Sequence, residues 1–104
     1  MTKKKKSANI EYRSLAVGAK KIDAVCIKLL SRNFILLRGR RGYVMCGYLD
    51  MKAADKFKDV AVKIAGVSTI SEALKTKAVS VSDAAKRIGL YKDEPVHDIL
   101  KKIS

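Results

Sequence analysis

Cys46 is the residue whose type and setting best suit nucleophilic chemistry in this chain of 104 residues. It lies a few positions before a helix expected to open after Asp50, and helix N-termini stabilise thiolates. Gly47 beside it would let a ligand or another backbone approach closely. Asp50 is placed to orient a base or to hold a cation. A cysteine nucleophile also needs a base. The single histidine, His97, falls between Val96 and Asp98 on the outward side of the last expected helix. Each of these residues has a plainer role as well. Free cysteine is among the most buried residue types. Aspartate is a good helix N-cap, and a glycine within a strand often marks a bulge or a packing contact. Sequence alone leaves both roles open.

Gly39-Arg40-Arg41-Gly42 is a second candidate. Two guanidinium groups on a glycine-flanked turn can clamp a phosphate, although the same composition makes an ordinary solvated hairpin turn. The formal net charge is +13, and residues 1–41 hold twelve Lys and Arg against only Glu11 and Asp23. A field of that sign attracts polyanions without regard to sequence, so weak, non-specific nucleic-acid binding is one expected property. Other classes are excluded. There is no P-loop, no GxGxxG, no recognisable pair of catalytic carboxylates and no aromatic-basic interleaving of the RNA-recognition kind. One histidine and two cysteines without a CxxC cannot build a zinc site unaided. No metal and no cofactor is expected.

The elements that must position these residues begin with Asp23–Asp50. Three short strands are expected there, roughly Ala24–Leu30, Phe34–Arg38 and Tyr43–Leu49, joined by links too short for a parallel crossover. An antiparallel sheet with one wet face alternates apolar and polar residues. These strands do not. Val25, Ile27 and Leu29 oppose Ala24, Cys26 and Leu30, while Phe34 and Leu36 oppose Ile35 and Leu37. Both faces therefore require cover. Helices of the same chain can cover one, and the other calls for a second subunit.

Asn9–Val17 alternates as a first strand, with Gly18–Lys21 as its turn. Asp50 is expected to cap a short helix that turns Ala54 and Phe57 inward. Val60–Val67 is β-branched and apolar, hence a fifth strand. Thr69-Ile70-Ser71-Glu72 forms a capping box. Ser80 is expected to cap the next helix, which ends at Gly89. After Asp93-Glu94-Pro95, Val96, Ile99, Leu100 and Ile103 make one helical stripe. Ser82–Leu90 has the look of half a helix-turn-helix. Asp93 and Glu94 would then face the phosphates, which argues against it. Strands first and helices after give an α+β class: an antiparallel meander sheet packed on one side by short helices. Residues 1–7 are expected to be a disordered basic tail and residues 8–104 a single domain. The two cysteines fit a reducing, cytoplasmic setting. No apolar run is long enough to span a membrane.

The run Gly42-Tyr43-Val44-Met45-Cys46-Gly47-Tyr48-Leu49-Asp50 resembles the signature of the YunC-like family, small bacterial and archaeal proteins with a domain of unknown function. The likeness extends from about residue 20 to residue 92, through Ala24–Leu29, Ala65-Gly66-Val67 with Thr69-Ile70, and Ala84-Ala85 with Ile88-Gly89-Leu90. It implies an α+β domain whose N-terminal β-region is associated with tetramers. It implies no activity. The lysine-rich start and the Arg38–Arg41 turn are features of this chain rather than of the signature.

Overall fold

The computed structural model describes residues 9–104; the tail expected over residues 1–7 lies outside the described residues. β1 (Ile10–Val17), β2 (Lys20–Lys28), β3 (Asn33–Arg38) and β4 (Tyr43–Met45) form the expected antiparallel meander. The first hairpin is tighter than expected. Lys20 and Lys21 already pair with Val17 and Ala16, so Gly18 and Ala19 alone make the turn. Gly18 takes φ +62, which a glycine adopts without strain.

After β4 comes α1 (Met51–Lys56), then β5 (Ala61–Lys63), which pairs with β4 in parallel. A parallel step needs a crossover, and the α1 segment supplies it. α2 (Ile70–Lys75) leads to β6 (Ser80–Val81), antiparallel to β5 at the far edge. α3 (Asp83–Arg87) and α4 (Val96–Ile103) follow. The six strands lie in sequence order, in an α+β fold with short helices packed on a largely antiparallel sheet.

Register decides which side chains share a face. Ile22, Ala24 and Cys26 of β2 lie level with Ile35 and Leu37 of β3, and Leu37 lies level with Val44 of β4. All are buried, and Ile70, Ala73, Val96, Ile99, Leu100 and Ile103 of α2 and α4 close over them. The opposite face is covered only at its β4–β5 end. There Tyr43, Met45 and Ala61 pack with Leu49, Met51 and Ala54 of the α1 segment.

Several boundaries differ from expectation. β4 stops at Met45, because Leu49 N–H donates to the Cys46 carbonyl and folds Gly47-Tyr48 into a turn. Leu49 then packs against α1 instead of continuing the strand. The fifth strand shrinks from Val60–Val67 to Ala61–Lys63, and Gly66 at φ +73 turns the chain toward α2. Phe57 is 71% exposed rather than inward. It is the C-cap of a six-residue helix, and Lys58 follows at φ +62, so the helical face ends with Ala54. Ser82, not Ser80, caps α3. Ser80 is occupied in β6, whereas the buried Ser82 hydroxyl accepts from Ala85 N–H and Ala61 N–H and donates to the Asp59 carbonyl. The Thr69 cap of α2 holds as expected, although Glu72 reaches back to Ser68 N–H rather than to Thr69.

Candidate functional site

β4 delivers Cys46 to one end of the sheet, beside β3. The side chain is 5% exposed. Its sulfur accepts from Ile35 N–H at 3.4 Å and lies 3.9 Å from the Asn33 carbonyl, toward which the thiol can donate. Cys46 N–H completes the link by donating to the Ile35 carbonyl. Cys26 flanks Ile35 on the other side, with its thiol directed to the Ser68 carbonyl 3.8 Å away. Both cysteines are free and separated by β3. Burial, more than any neighbouring charge, pushes the Cys26 thiol above its ordinary pKa.

Asp50 turns away from that sulfur. Its carboxylate accepts from Lys52 N–H at 3.0 Å and Ala53 N–H at 3.3 Å and caps α1. Gly47 is exposed, and a Cβ there would meet nothing closer than the Arg32 guanidinium at 4.0 Å. The fold of one chain therefore gives no steric reason for a glycine at this position. His97 is exposed on α4 and pairs only with Asp98 among the described residues.

Arg40 and Arg41 lie at the other end of β4, about 15 Å along the chain from Cys46. The two candidate groups are not brought together. Nor are the two arginines alike. Arg41 N–H donates to the Ile103 carbonyl and its guanidinium donates to the Lys102 carbonyl, so Arg41 closes the C-terminal end of α4. A cation at that end also suits the helix dipole. Arg40 is exposed and has no hydrogen bond among the described residues.

The largest unexplained feature is the uncovered face of β1–β3. Cross-strand rows place Ile10, Ile27 and Phe34 together, and beside them Tyr12, Val25 and Leu36. Ile10 and Tyr12 are 49% and 40% exposed, and Leu30 at the rim is fully exposed. Only the third row is polar. There Asp23 accepts from the Tyr12 hydroxyl at 2.7 Å and from the Arg38 guanidinium at 2.7 Å. The Tyr12 hydrogen bond first, then Arg38, holds the Asp23 carboxyl below its usual pKa. Next to it Tyr43 donates to Asp59, and burial together with that bond lifts the phenol to about 12.

Sequence reasoning finds the two-sided strands but misses Asn33, Ser68 and Ser82 as binding partners. Each acts through a backbone group distant in sequence, and no local pattern signals that.

Comparison with known proteins places these features in a family. Residues 45–103 match the model of the Domain of unknown function (DUF1805). The chain is 34% identical over 85 residues to the uncharacterized protein YunC of Bacillus subtilis, an alignment covering 78% of this chain and 84% of that protein. It also superposes on the crystal structure of a protein of unknown function, TA1206 from Thermoplasma acidophilum. The TM-score is 0.88 at 28% identity, over 91% of this chain and 93% of the other. This chain therefore belongs to the DUF1805, YunC-like family.

Proposed function

We propose that the protein is a self-assembling module, a homotetramer whose uncovered face over β1–β3 is a contact between subunits. The observation that carries this reading is the double-sided apolar character of β2 and β3. Ala24, Cys26, Ile35 and Leu37 serve the chain's own core, while Val25, Ile27 and Leu36 stand on the opposite face without a helix over them. A sheet face meant for water carries polar residues at those positions, and contiguous exposed apolar surface marks interaction sites. A small domain also gains from the added burial. The buried, free cysteines fit the cytoplasm as its location.

Sedimentation of the purified chain tests the reading. The expected mass is four times that of the 11.5 kDa chain. Leu36→Lys should lower the mass and leave the far-UV spectrum unchanged, because Leu36 is only half-buried and makes no part of the main core. Ile35→Lys should unfold the chain, because Ile35 is fully buried beneath the helices. A monodisperse wild-type monomer at micromolar concentration would overturn the proposal.

A further inference from the structure

We infer that the groove between the end of the β1–β2 hairpin and α4 binds a medium-chain aliphatic carboxylate. Its hydrocarbon tail would lie along Leu15, Val17, Leu74 and Leu100, and its carboxylate would meet Lys101 and His97. The inference goes beyond the self-assembly reading and does not depend on it, because the groove is on the helix-covered side of the sheet and one chain supplies its whole lining.

The groove exists because the end of β1 is only partly covered by the helices. Leu15 pairs with the buried Ile22, so Leu15 and, two residues on, Val17 turn toward α2 and α4. Both pack at the margin of the main core, as does Leu74 of α2, yet all three stay half-buried. Leu100 of α4 is nearly fully buried beside them. A cavity of about 310 Å³ remains between these side chains. Sites for small organic molecules start at about this size and have mostly apolar walls with a few polar groups at fixed places. At the ~30 Å³ that a water, or a methylene of similar bulk, takes up, there is room for about ten non-hydrogen atoms. Octanoate is a molecule of that size.

The lining selects the ligand. Its apolar side chains are all aliphatic, with no aromatic ring to stack on and no hydroxyl, amide or carboxylate to meet a polar substituent. The part of the ligand that enters must therefore be plain hydrocarbon, since a polar group there would lose water without gaining a partner. The mouth is basic. His97 and Lys101 are four residues apart on α4, share one face of it, and both line the groove. The Lys101 ammonium makes no ion pair and no hydrogen bond among the described residues. His97 Nδ1 lies 3.5 Å from the Asp98 carboxylate, which leaves Nε2 for a ligand. Asp98 itself does not line the groove, and neither does any other acidic residue. An anionic head is favoured there and a cationic one is repelled. Arginine forks are the usual match for phosphate, and no arginine lines the groove. One ammonium and one imidazole suit a carboxylate.

Two-dimensional amide NMR of the ¹⁵N-labelled full chain, titrated with octanoate, tests the inference. Saturable shifts are expected at Leu15, Val17, Leu74 and the turn from His97 to Lys101. Affinity should rise about two- to fourfold per methylene from butanoate to octanoate and then level off as the groove fills. Octanol, with the same tail and no charge, should bind about 5- to 10-fold more weakly. Lys101→Glu should reverse the order, so that octylammonium binds better than octanoate. A lysine with only a structural role would not produce that exchange. Val17→Phe, which fills the groove, should remove binding of all three probes, with circular dichroism and sedimentation checking that fold and mass are those of wild type. Should Val17→Phe fail to fold, the reversal at the exposed Lys101 decides alone. Shifts scattered over surface lysines and arginines without dependence on chain length would mean anion binding without a site and overturn the inference. Octanoate binding that Lys101→Glu leaves unchanged would do the same. So would a groove that gives no octanoate shifts and whose variants change the sedimenting mass, because a second copy would then be its occupant.

Discussion

Cys46 directs its sulfur at two backbone groups of β3, the Ile35 N–H and the Asn33 carbonyl. A thiol so placed ties β4 to β3 and has a structural reason to be there. Both cysteines are expected to react slowly with a thiol reagent in the native protein and rapidly after denaturation. Cys46→Ala should cost about 1 kcal/mol, chiefly as lost packing. Fast native labelling of Cys46 alone, together with an unchanged melting temperature for Cys46→Ser, would instead make it a functional thiol. The residue types at this end of the sheet were legible in sequence: a thiol, a glycine and a capping aspartate within five positions. Asp50 performs the role its position before α1 suggests. The partners of the sulfur were not legible, because Asn33 and Ile35 lie more than ten residues away and meet it only through the β3–β4 register. Arg41 shows the same limit more sharply. Its acceptor, the Lys102 carbonyl, is 61 residues distant, so a phosphate clamp and a helix cap look alike in the sequence.

At the scale of elements, the β3–β4 turn and α4 are one unit. Gly39 approaches α4 so closely that a Cβ there would fall 2.2 Å from the Ile103 carbonyl oxygen and 3.0 Å from Ser104 Cα. Both are backbone atoms and cannot swing aside. Gly39→Ala is therefore expected to destabilise the protein by about 3 kcal/mol, by forcing the turn off the helix end. Arg41→Ala removes one hydrogen bond and a favourable charge at the same junction and should cost about 1 kcal/mol. Denaturant melts of the two variants measure the difference, and equal costs would mean that the close approach is not what holds the junction. Local pattern read the meander, the caps of α1 and α2 and the apolar stripe of α4 correctly, since turn residues and periodicity act over a few positions. It overran β4 and β5. Tyr48 and Leu49 continue a strand pattern, but the chain turns at Gly47 to enter the crossover that a parallel β4–β5 pair requires. That pairing is a property of the whole sheet.

Over the whole molecule, a charge of +13 must either be offset by a partner or remain an outward field. The sheet engages few of its cations. Arg38 is bound to Asp23, Arg13 lies against Glu11 and Arg41 holds α4. Arg40 and the lysines 3–6 of the tail carry no such assignment within the described residues. Weak polyanion binding is therefore expected to run through Arg40 and the tail, with Arg41 contributing chiefly to stability. Deleting Lys3–Lys6 and changing Arg40 to Gln should weaken binding to duplex DNA and to single-stranded RNA to similar extents, because phosphate contacts carry no sequence information. Each lost phosphate contact should also flatten the dependence of log affinity on log salt by about 0.7 to 0.9. Arg41→Gln should lower the melting temperature and leave that slope nearly unchanged. Fluorescence anisotropy across a salt series distinguishes these outcomes. Binding that survives at high salt, or that favours one sequence, would instead mean contacts to bases and overturn this account. Assembly should then amplify what single chains do poorly. A tetramer of the kind proposed would carry four Arg40 turns, so a long polyanion bound by several of them should dissociate far more slowly than a short one. If Leu36→Lys lowers the mass as proposed, it should also abolish the preference for length while leaving affinity for a short oligonucleotide unchanged.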